Sequence, residues 1–148
     1  MKNTLLTILL LILSLTIMTA QHFSKHQWQH RILVLQYDEA NQKNYTQQLR
    51  DLQAHQAGLT ERKLVVYQFC DEQFRMGLYE KGEWKKADTA VLKRLKMNSN
   101  RDFSVTLMGL DGGVKLQQSE VLTTEELFGI IDSMPMRARE MWNKGKED

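Results

Sequence analysis

The pattern of apolar and polar residues divides the chain into a leader and one folded unit. Residues 5–18 are almost wholly apolar, with Lys2 before them and the small Ala20 after them. A charged start, a short apolar run and a small-residue exit are typical of a secretory signal peptide. A membrane-spanning helix needs about 20 apolar residues, so this run is short for a span. We expect residues 1–20 to be a signal peptide and residues 21–148 to form a single domain. Retention of the leader as a membrane anchor is the alternative.

Two continuous apolar runs predict a pair of buried strands. Residues 32–35 and 64–70 are apolar runs with polar borders, as in strands that are covered on both faces. Between them, apolar residues recur at helical spacing from Tyr45 to Leu59, and Gly58 is placed to end that helix. A strand–helix–strand unit of this length predicts a parallel pair with a right-handed crossover.

The middle of the chain predicts a short helix and a β-hairpin. Residues 71–88 are rich in charge, which is compatible with a loose hairpin or an excursion over the core. A helix is expected to begin with Asp88 or Thr89 as its N-cap. Residues 111–113, Asp-Gly-Gly, separate two alternating runs, and this is a strong hairpin signal.

The end of the chain predicts a last helix. Thr123 and Glu126 form a capping box at its start, and Pro135 is expected to stop it. A short basic segment, residues 136–142, would follow. The predicted order is therefore β-α-β-α-β-β-α, which gives an α/β domain with a central mixed sheet. A parallel pair joined to an antiparallel hairpin, with helices on both faces, is the thioredoxin-like arrangement. Flavodoxin-like folds lack the late hairpin.

Three sequence blocks make the chain similar to a known family. Trp28-x-x-Arg31, residues 110–116 and residues 132–137 (Asp-x-Met-Pro-Met-Arg) resemble blocks of the domain-of-unknown-function 4174 family. The resemblance implies a thioredoxin-like, peroxiredoxin-related domain of bacterial secreted proteins, found also in the modules of the extracellular vertebrate coiled-coil domain-containing protein 80. It implies an exported, non-enzymatic module and no established reaction.

Charge and cysteine content narrow the classes of partner. The chain has 20 Lys and Arg residues against 18 Asp and Glu residues, for a net charge of +2. Such a balance gives no basic excess to neutralise phosphates, so no nucleic-acid partner is expected. A lone cysteine, Cys70, cannot form an internal disulfide. We expect no cofactor, and a location in the periplasm or the extracellular space.

The residues that thioredoxin chemistry needs are missing from the sequence. Residues 37–41 join the first strand to the first helix, where a helix N-terminus would stabilise a thiolate, and they contain no cysteine. Residues 101–103 stand where thioredoxins have a cis-proline. Cys70 ends the second strand and is most simply a small buried hydrophobic residue. The alternative is a reactive thiol at the carboxyl edge of the sheet, which makes Cys70 the one catalytic candidate.

Three histidines near the start of the domain are candidate metal ligands. His22, His26 and His30 are spaced four residues apart, which would align them on one face of a helix. Imidazole suits copper and zinc ions. The simpler interpretation is a solvated leader segment.

Trp28, Arg31 and Arg137 are the candidates for contact with a partner. Arg137 is also expected to pack against a helix end or to pair with an acid. We therefore expect an exported, non-catalytic module that binds another exported protein or a surface component. A membrane partner is expected only if the leader is retained. The alternative is a thiol-dependent redox enzyme or sensor that uses Cys70. A cleft joining Asp38, Cys70 and an arginine would favour that alternative.

Overall fold

The computed structural model describes residues 21–39, 42–79, 81–95 and 103–146. In chain order the elements are α1 (Gln21–Ser24), β1 (Arg31–Tyr37), α2 (Lys43–Ala54), α3 (Gln56–Glu61), β2 (Leu64–Cys70), β3 (Gln73–Met76), β4 (Lys85–Lys86), α4 (Thr89–Arg94), β5 (Phe103–Met108), β6 (Val114–Gln118), α5 (Thr124–Asp132) and α6 (Pro135–Lys144). The predicted signal peptide, residues 1–20, lies outside the described residues. In the part that is described, no helix has the length and apolar character to cross a membrane.

The strands form one mixed sheet in the order β4-β3-β2-β1-β5-β6. β1 and β2 are parallel, with Leu33 opposite Val66. All other neighbours, including the β5–β6 hairpin, are antiparallel. The mixed α/β class, the parallel pair and the hairpin are therefore confirmed.

Helices cover both faces of the sheet. On one face, Leu52 of α2 and Leu127 of α5 belong to the same buried cluster as Leu33. On the other face, Phe23 of α1 and Val91 of α4 belong to the same buried cluster as Ile32. Successive residues of β1 point to opposite faces, so this strand contributes to both cores. That explains why its apolar run is continuous.

Two predicted helix starts are confirmed. The Asp88 carboxylate accepts a hydrogen bond from the Ala90 backbone N–H at 3.1 Å and caps α4. Thr123 and Glu126 form the predicted capping box of α5, in which the Thr123 hydroxyl accepts from the Glu126 N–H and the Glu126 carboxylate accepts from the Thr123 N–H.

The helix predicted between the parallel strands is two helices. The break falls at His55, and α3 continues through Gly58 to Glu61, so the prediction that Gly58 ends the helix was wrong. Gly58 is needed for close packing, because an added Cβ would lie 2.6 Å from the ring of Phe128. A glycine that admits an aromatic ring and one that ends a helix look alike in a sequence.

The charged stretch after β2 extends the sheet. β3 turns back on β2 through Asp71, whose φ of 51° lies in the left-handed region, and β4 pairs with β3. The predicted order β-α-β-α-β-β-α lacked these two strands. They are only four and two residues long, which is too short to give a clear alternating pattern.

Pro135 begins a helix where it was predicted to stop one. α5 ends at Asp132, Met134 is the N-cap of the next helix, and Pro135 takes its first position. Proline is tolerated there because the first N–H groups of a helix have no partner within it. The segment predicted as a short basic tail is therefore α6, which runs on to Lys144.

Candidate functional site

The carboxyl ends of β1 and β2 carry a closed aromatic cluster. Tyr37 stacks on Tyr45 with 3.7 Å between ring centroids. The Tyr45 hydroxyl donates to Gln68 Oε1 at 2.5 Å, and Arg75 Nε donates to the same oxygen at 3.0 Å. The Arg75 guanidinium lies 4.7 Å from the centroid of the Trp84 ring. These five residues, the tyrosine cluster, fill the end of the sheet at which β1 leads to α2.

Cys70 is buried beside this cluster and is only 8% exposed. Burial raises the pKa of the Cys70 thiol above its ordinary value of 9.0, and the charges of Asp71 and Glu39 raise it further. A hydrogen bond from Tyr37 opposes this shift without reversing it. The sulfur is therefore a thiol and not a thiolate at neutral pH. These observations favour the interpretation of Cys70 as a small buried hydrophobic residue.

The opposite end of the sheet carries a network of ion pairs around two buried arginines, Arg31 and Arg137. The arginine network consists of three guanidiniums and three carboxylates, from Arg31, Arg62, Arg137, Glu61, Asp132 and Glu140. Arg31 begins β1, Glu61 and Arg62 lie at the end of α3, Asp132 ends α5, and Arg137 and Glu140 face inward from α6. The network joins four elements, β1, α3, α5 and α6, of which only the last two are neighbours in the sequence.

Arg137 is fully engaged within this network. Its Nε donates to Asp132 Oδ1 at 3.1 Å and its Nη2 donates to Glu61 Oε1 at 2.9 Å. Burial alone would raise the pKa of Asp132, but hydrogen bonds from Arg62 and Arg137 more than offset it and lower that pKa. Arg137 is 4% exposed, so its described contacts are structural. A part in partner binding stays a prediction.

Arg31 is almost wholly buried, with 1% of its surface exposed. Its Nη1 donates to the Arg62 carbonyl at 2.9 Å and to Glu140 Oε2 at 3.3 Å. Its Nε is buried and has no hydrogen-bond partner in the part of the chain that the structure describes. An unsatisfied buried donor costs about 1–3 kcal/mol and calls for an explanation.

An apolar cavity of about 290 Å³ lies beside Arg31. We call it the hairpin pocket, because it lies between the β5–β6 turn and the α5–α6 junction. Its lining consists of Arg31, Gly109, Leu110, Asp111, Lys115, Met134, Pro135 and Met136. Asp111 and Lys115 form an ion pair of 2.6 Å, so the two charged residues that the hairpin contributes neutralise each other.

Exposed apolar residues accompany the hairpin pocket. Val114 follows the turn and is 50% exposed, and Met136 of the lining is 43% exposed. Trp28 is 62% exposed, and its backbone N–H donates to the carbonyl of Leu110 at 2.6 Å. Trp28 has a φ of 66°, a conformation that is costly for a residue with a large side chain. Exposed apolar groups beside a cavity are typical of a binding surface.

The comparison with protein families decides where the chain belongs. A family model for a domain of unknown function, DUF4174, matches residues 22–140. The chain belongs to the DUF4174 family. No curated protein and no solved structure matches it. In this DUF4174 domain, the three sequence blocks quoted above meet in space, because all three contribute to the hairpin pocket: Arg31 from the first, Leu110, Asp111 and Lys115 from the second, and Met134, Pro135 and Met136 from the third.

The structure brings two of the three candidate histidines together. α1 ends at Ser24, so the long helix that would align all three is not formed. A turn follows it, and in this turn His26 Nδ1 lies 3.3 Å from His30 Nδ1. The side chain of His22 and residues 101 and 102 of the expected cis-proline position lie outside the described residues. Within those residues, no group of three His, Cys, Asp or Glu side chains could hold a metal ion.

Sequence reasoning singled out Arg31 and Arg137 and expected an acid partner for Arg137, but it missed Arg62 and did not identify the acids that pair with the arginines. Glu61 lies 76 residues from Arg137, and Glu140 lies 109 residues from Arg31. No local pattern links residues this far apart. The one available signal was that Arg31 and Arg137 each stood inside a block of the family resemblance.

Proposed function

We propose that this DUF4174 domain is a non-catalytic, thioredoxin-like binding module and that the hairpin pocket receives an apolar side chain of an exported partner protein. The observation that carries the proposal is the cavity beside Arg31, with an apolar lining and with exposed Trp28, Val114 and Met136 close by. The buried Cys70 thiol supports the non-catalytic part of the proposal.

The order of the central strands supports the thioredoxin-like part. Strands β2, β1, β5 and β6 are adjacent in the sheet, and β5 is antiparallel to both of its neighbours. A helix follows β6, as the predicted order requires. On this view β3, β4 and α6 are additions to a smaller core.

The size and chemistry of the pocket support a side chain of a protein as the occupant. Its volume of about 290 Å³ is at the lower limit of small-molecule pockets, which begin near 300 Å³. Protein partners commonly place one large apolar side chain in such a cavity as an anchor.

The expected cellular setting follows from the leader. If residues 1–20 direct export, the partner is a protein of the periplasm or the extracellular space. The near-neutral charge of the chain supports a protein and not a nucleic acid. A membrane component enters only if the leader is retained.

Capture of exported proteins by the full chain tests the proposal. Met136→Glu places a charge at the pocket, and Met76→Glu is the matched control, because Met76 is 52% exposed and is absent from the pocket lining. We expect wild-type and Met76→Glu protein to retain the same partner. Affinity for that partner, once purified, should fall at least about tenfold in Met136→Glu, because a buried unpaired carboxylate is costly. Equal affinity of Met136→Glu and wild type would contradict the pocket, and capture of no partner by wild type would contradict the function.

A further inference from the structure

The turn after α1 places two imidazole rings side by side. The His30 backbone N–H donates to the His26 carbonyl at 2.8 Å, which closes the turn. The two Nδ1 atoms lie 3.3 Å apart, with 81° between the ring planes. We infer that His26 and His30 are the two protein ligands of a transition-metal site.

Tyr67 fixes the orientation of the first ring. His26 Nε2 lies 2.8 Å from the Tyr67 hydroxyl, which belongs to β2. Tyr67 is 1% exposed, so its hydroxyl is held in the core beside His26. We assign the His26 proton to Nε2, where it is donated to this oxygen. The Nδ1 of His26 then presents a lone pair to His30.

A hydrogen-bonded partner on the far nitrogen is the usual arrangement of a metal-binding histidine. Such a partner selects the tautomer, orients the ring and strengthens the ligand. Tyr67 stands in that position toward His26 and is itself held in the core, with its ring edge-on to Phe23 at 5.2 Å. The fold therefore holds the His26 ring in a fixed orientation.

The separation of the two nitrogens agrees with a bridging cation. N–H donors lie at about 2.7–3.2 Å from their acceptors, and 3.3 Å is at the outer limit of that contact. Two nitrogens bound at about 2.0–2.1 Å to one tetrahedral zinc ion lie roughly 3.3–3.4 Å apart. The observed 3.3 Å is compatible with either geometry.

A cavity adjoins the two histidines, although His26 itself is only 7% exposed. No third His, Cys, Asp or Glu ligand accompanies the pair within the described residues. His26 and His30 line a cavity of about 480 Å³, which gives water or another small ligand access to the site. Imidazole binds Cu(II) more tightly than any other divalent ion of the first transition row. The tetrahedral spacing of the two nitrogens suits Zn(II), and the affinity order of imidazole ligands predicts that Cu(II) also binds.

The protons balance on binding. In the metal-free protein one proton lies between the two Nδ1 atoms, and we place it on His30. Metal binding requires the lone pair of that nitrogen. The proton moves to Nε2 of the same ring if the ring is neutral at the start, and it is released to solvent if the ring is charged.

Titration of the full chain with Cu(II) alone, followed by calorimetry, tests the site. We expect one ion bound per chain. The affinity for Cu(II) should fall at least about tenfold in His30→Gln and about tenfold in Tyr67→Phe. His55→Gln is the matched control, since His55 lies on α2–α3 and is half exposed. His22→Gln tests whether an N-terminal site accounts for the binding. Unchanged copper affinity in His30→Gln, or loss of the ion in His22→Gln alone, would overturn the assignment.

A measurement on wild-type protein tests the metal site even if the variants fail to fold. On addition of Zn(II), the imidazole resonances of His26 and His30 should shift together while those of His55 stay in place. Absence of any shift at His26 and His30 under saturating Zn(II) contradicts the site regardless of how the variants behave.

Discussion

Arg31, at the start of the first strand, and Glu140, in the last helix, form an ion pair with 3.3 Å between Nη1 and Oε2. Glu140 also lies 3.5 Å from Arg137 Nη1 and 3.7 Å from Lys63 Nζ. One carboxylate therefore offsets three positive charges, of which that of Arg31 is almost wholly removed from water.

Glu140→Gln should destabilise the domain by about 2 kcal/mol. The change keeps the shape of the side chain but leaves the buried Arg31 charge with no carboxylate partner, and breaking a buried pair by removing one member is costly. We reduce the usual 3–5 kcal/mol because Glu140 is 20% exposed.

Urea unfolding measures the difference in the free energy of unfolding between Glu140→Gln and wild type. The exposed Glu120 has no ion pair among the described contacts, and Glu120→Gln should stay within about 0.5 kcal/mol of wild type. Equal destabilisation in the two variants would refute this role.

Acid should weaken the arginine network in a defined direction. The pKa of Asp132 is lowered in the folded protein from its ordinary value of 3.8, and that of Glu61 is lowered from 4.5, chiefly by the hydrogen bond from Arg137. A carboxylate with a lowered folded pKa contributes stability that is fully present above its unfolded pKa and is lost as the pH falls through the folded pKa.

The free energy of unfolding should therefore be level from about pH 7 to pH 5 and then fall below about pH 4. Asp132→Asn should lower stability at neutral pH and flatten the decline in acid, because residue 132 no longer titrates. Urea unfolding at a series of pH values checks both effects. An Asp132→Asn profile parallel to wild type throughout would show that Asp132 is not a source of the acid sensitivity.

Two helical glycines should respond in opposite ways to alanine. A Cβ at Gly58 would lie 2.6 Å from two ring atoms of Phe128, whereas a Cβ at Gly129 meets nothing within 4 Å. Gly129→Ala should stabilise α5 by about 0.5–1 kcal/mol through helix propensity. In Gly58→Ala the same gain is outweighed by overpacking of about 1–3 kcal/mol. Displacement of the ring would also disturb its contact with Arg62, whose Cζ lies 4.1 Å from the ring centroid. Thermal unfolding of both variants measures the sign, and a stabilised Gly58→Ala would mean that Phe128 moves aside freely.

Cys70 should be unreactive in the folded protein. Alkylation proceeds through the thiolate, and burial disfavours that form at Cys70. We expect iodoacetamide to modify the native protein at least about tenfold more slowly than the urea-unfolded protein at pH 7.5. The redox alternative predicts the reverse: rapid alkylation, with peroxide consumption that Cys70→Ser abolishes. Consumption of peroxide by wild type but not by Cys70→Ser would replace our proposed function with that alternative.

The elements that could be predicted from the sequence are those with strong local signals. β1 and β2 have uninterrupted apolar runs, and α5 has a capping box, so all three were predicted close to their observed bounds. β3 and β4 are stabilised by pairing with a neighbour and not by their own pattern, so a loose hairpin could be predicted for residues 71–88 only as one of two alternatives. The end of α5 was correctly predicted near Pro135, but the start of a new helix at Pro135 was not predicted.

The candidate site was less predictable than the fold because it is assembled from distant segments. The hairpin pocket combines the start of β1, the β5–β6 turn and the α5–α6 junction. The sequence could name Trp28, Arg31 and Arg137, yet it could not distinguish the exposed tryptophan from the two buried arginines. The two arginines are buried because they pair with Glu61, Asp132 and Glu140, and these carboxylates lie beside them only in the folded chain.

The two-residue strand β4 has a consequence for how copies of the chain behave at high concentration. A sheet whose outer strand is long and apolar tends to recruit a neighbour and grow into a polymer. Here the outermost residues on that side are Lys85 and Lys86, both exposed. Two molecules that approached along this border would bring four ammonium groups together for very few hydrogen bonds. Strands β3 and β4 thus cover the edge of the long apolar strand β2, so that β2 cannot pair with a strand of another copy of the chain.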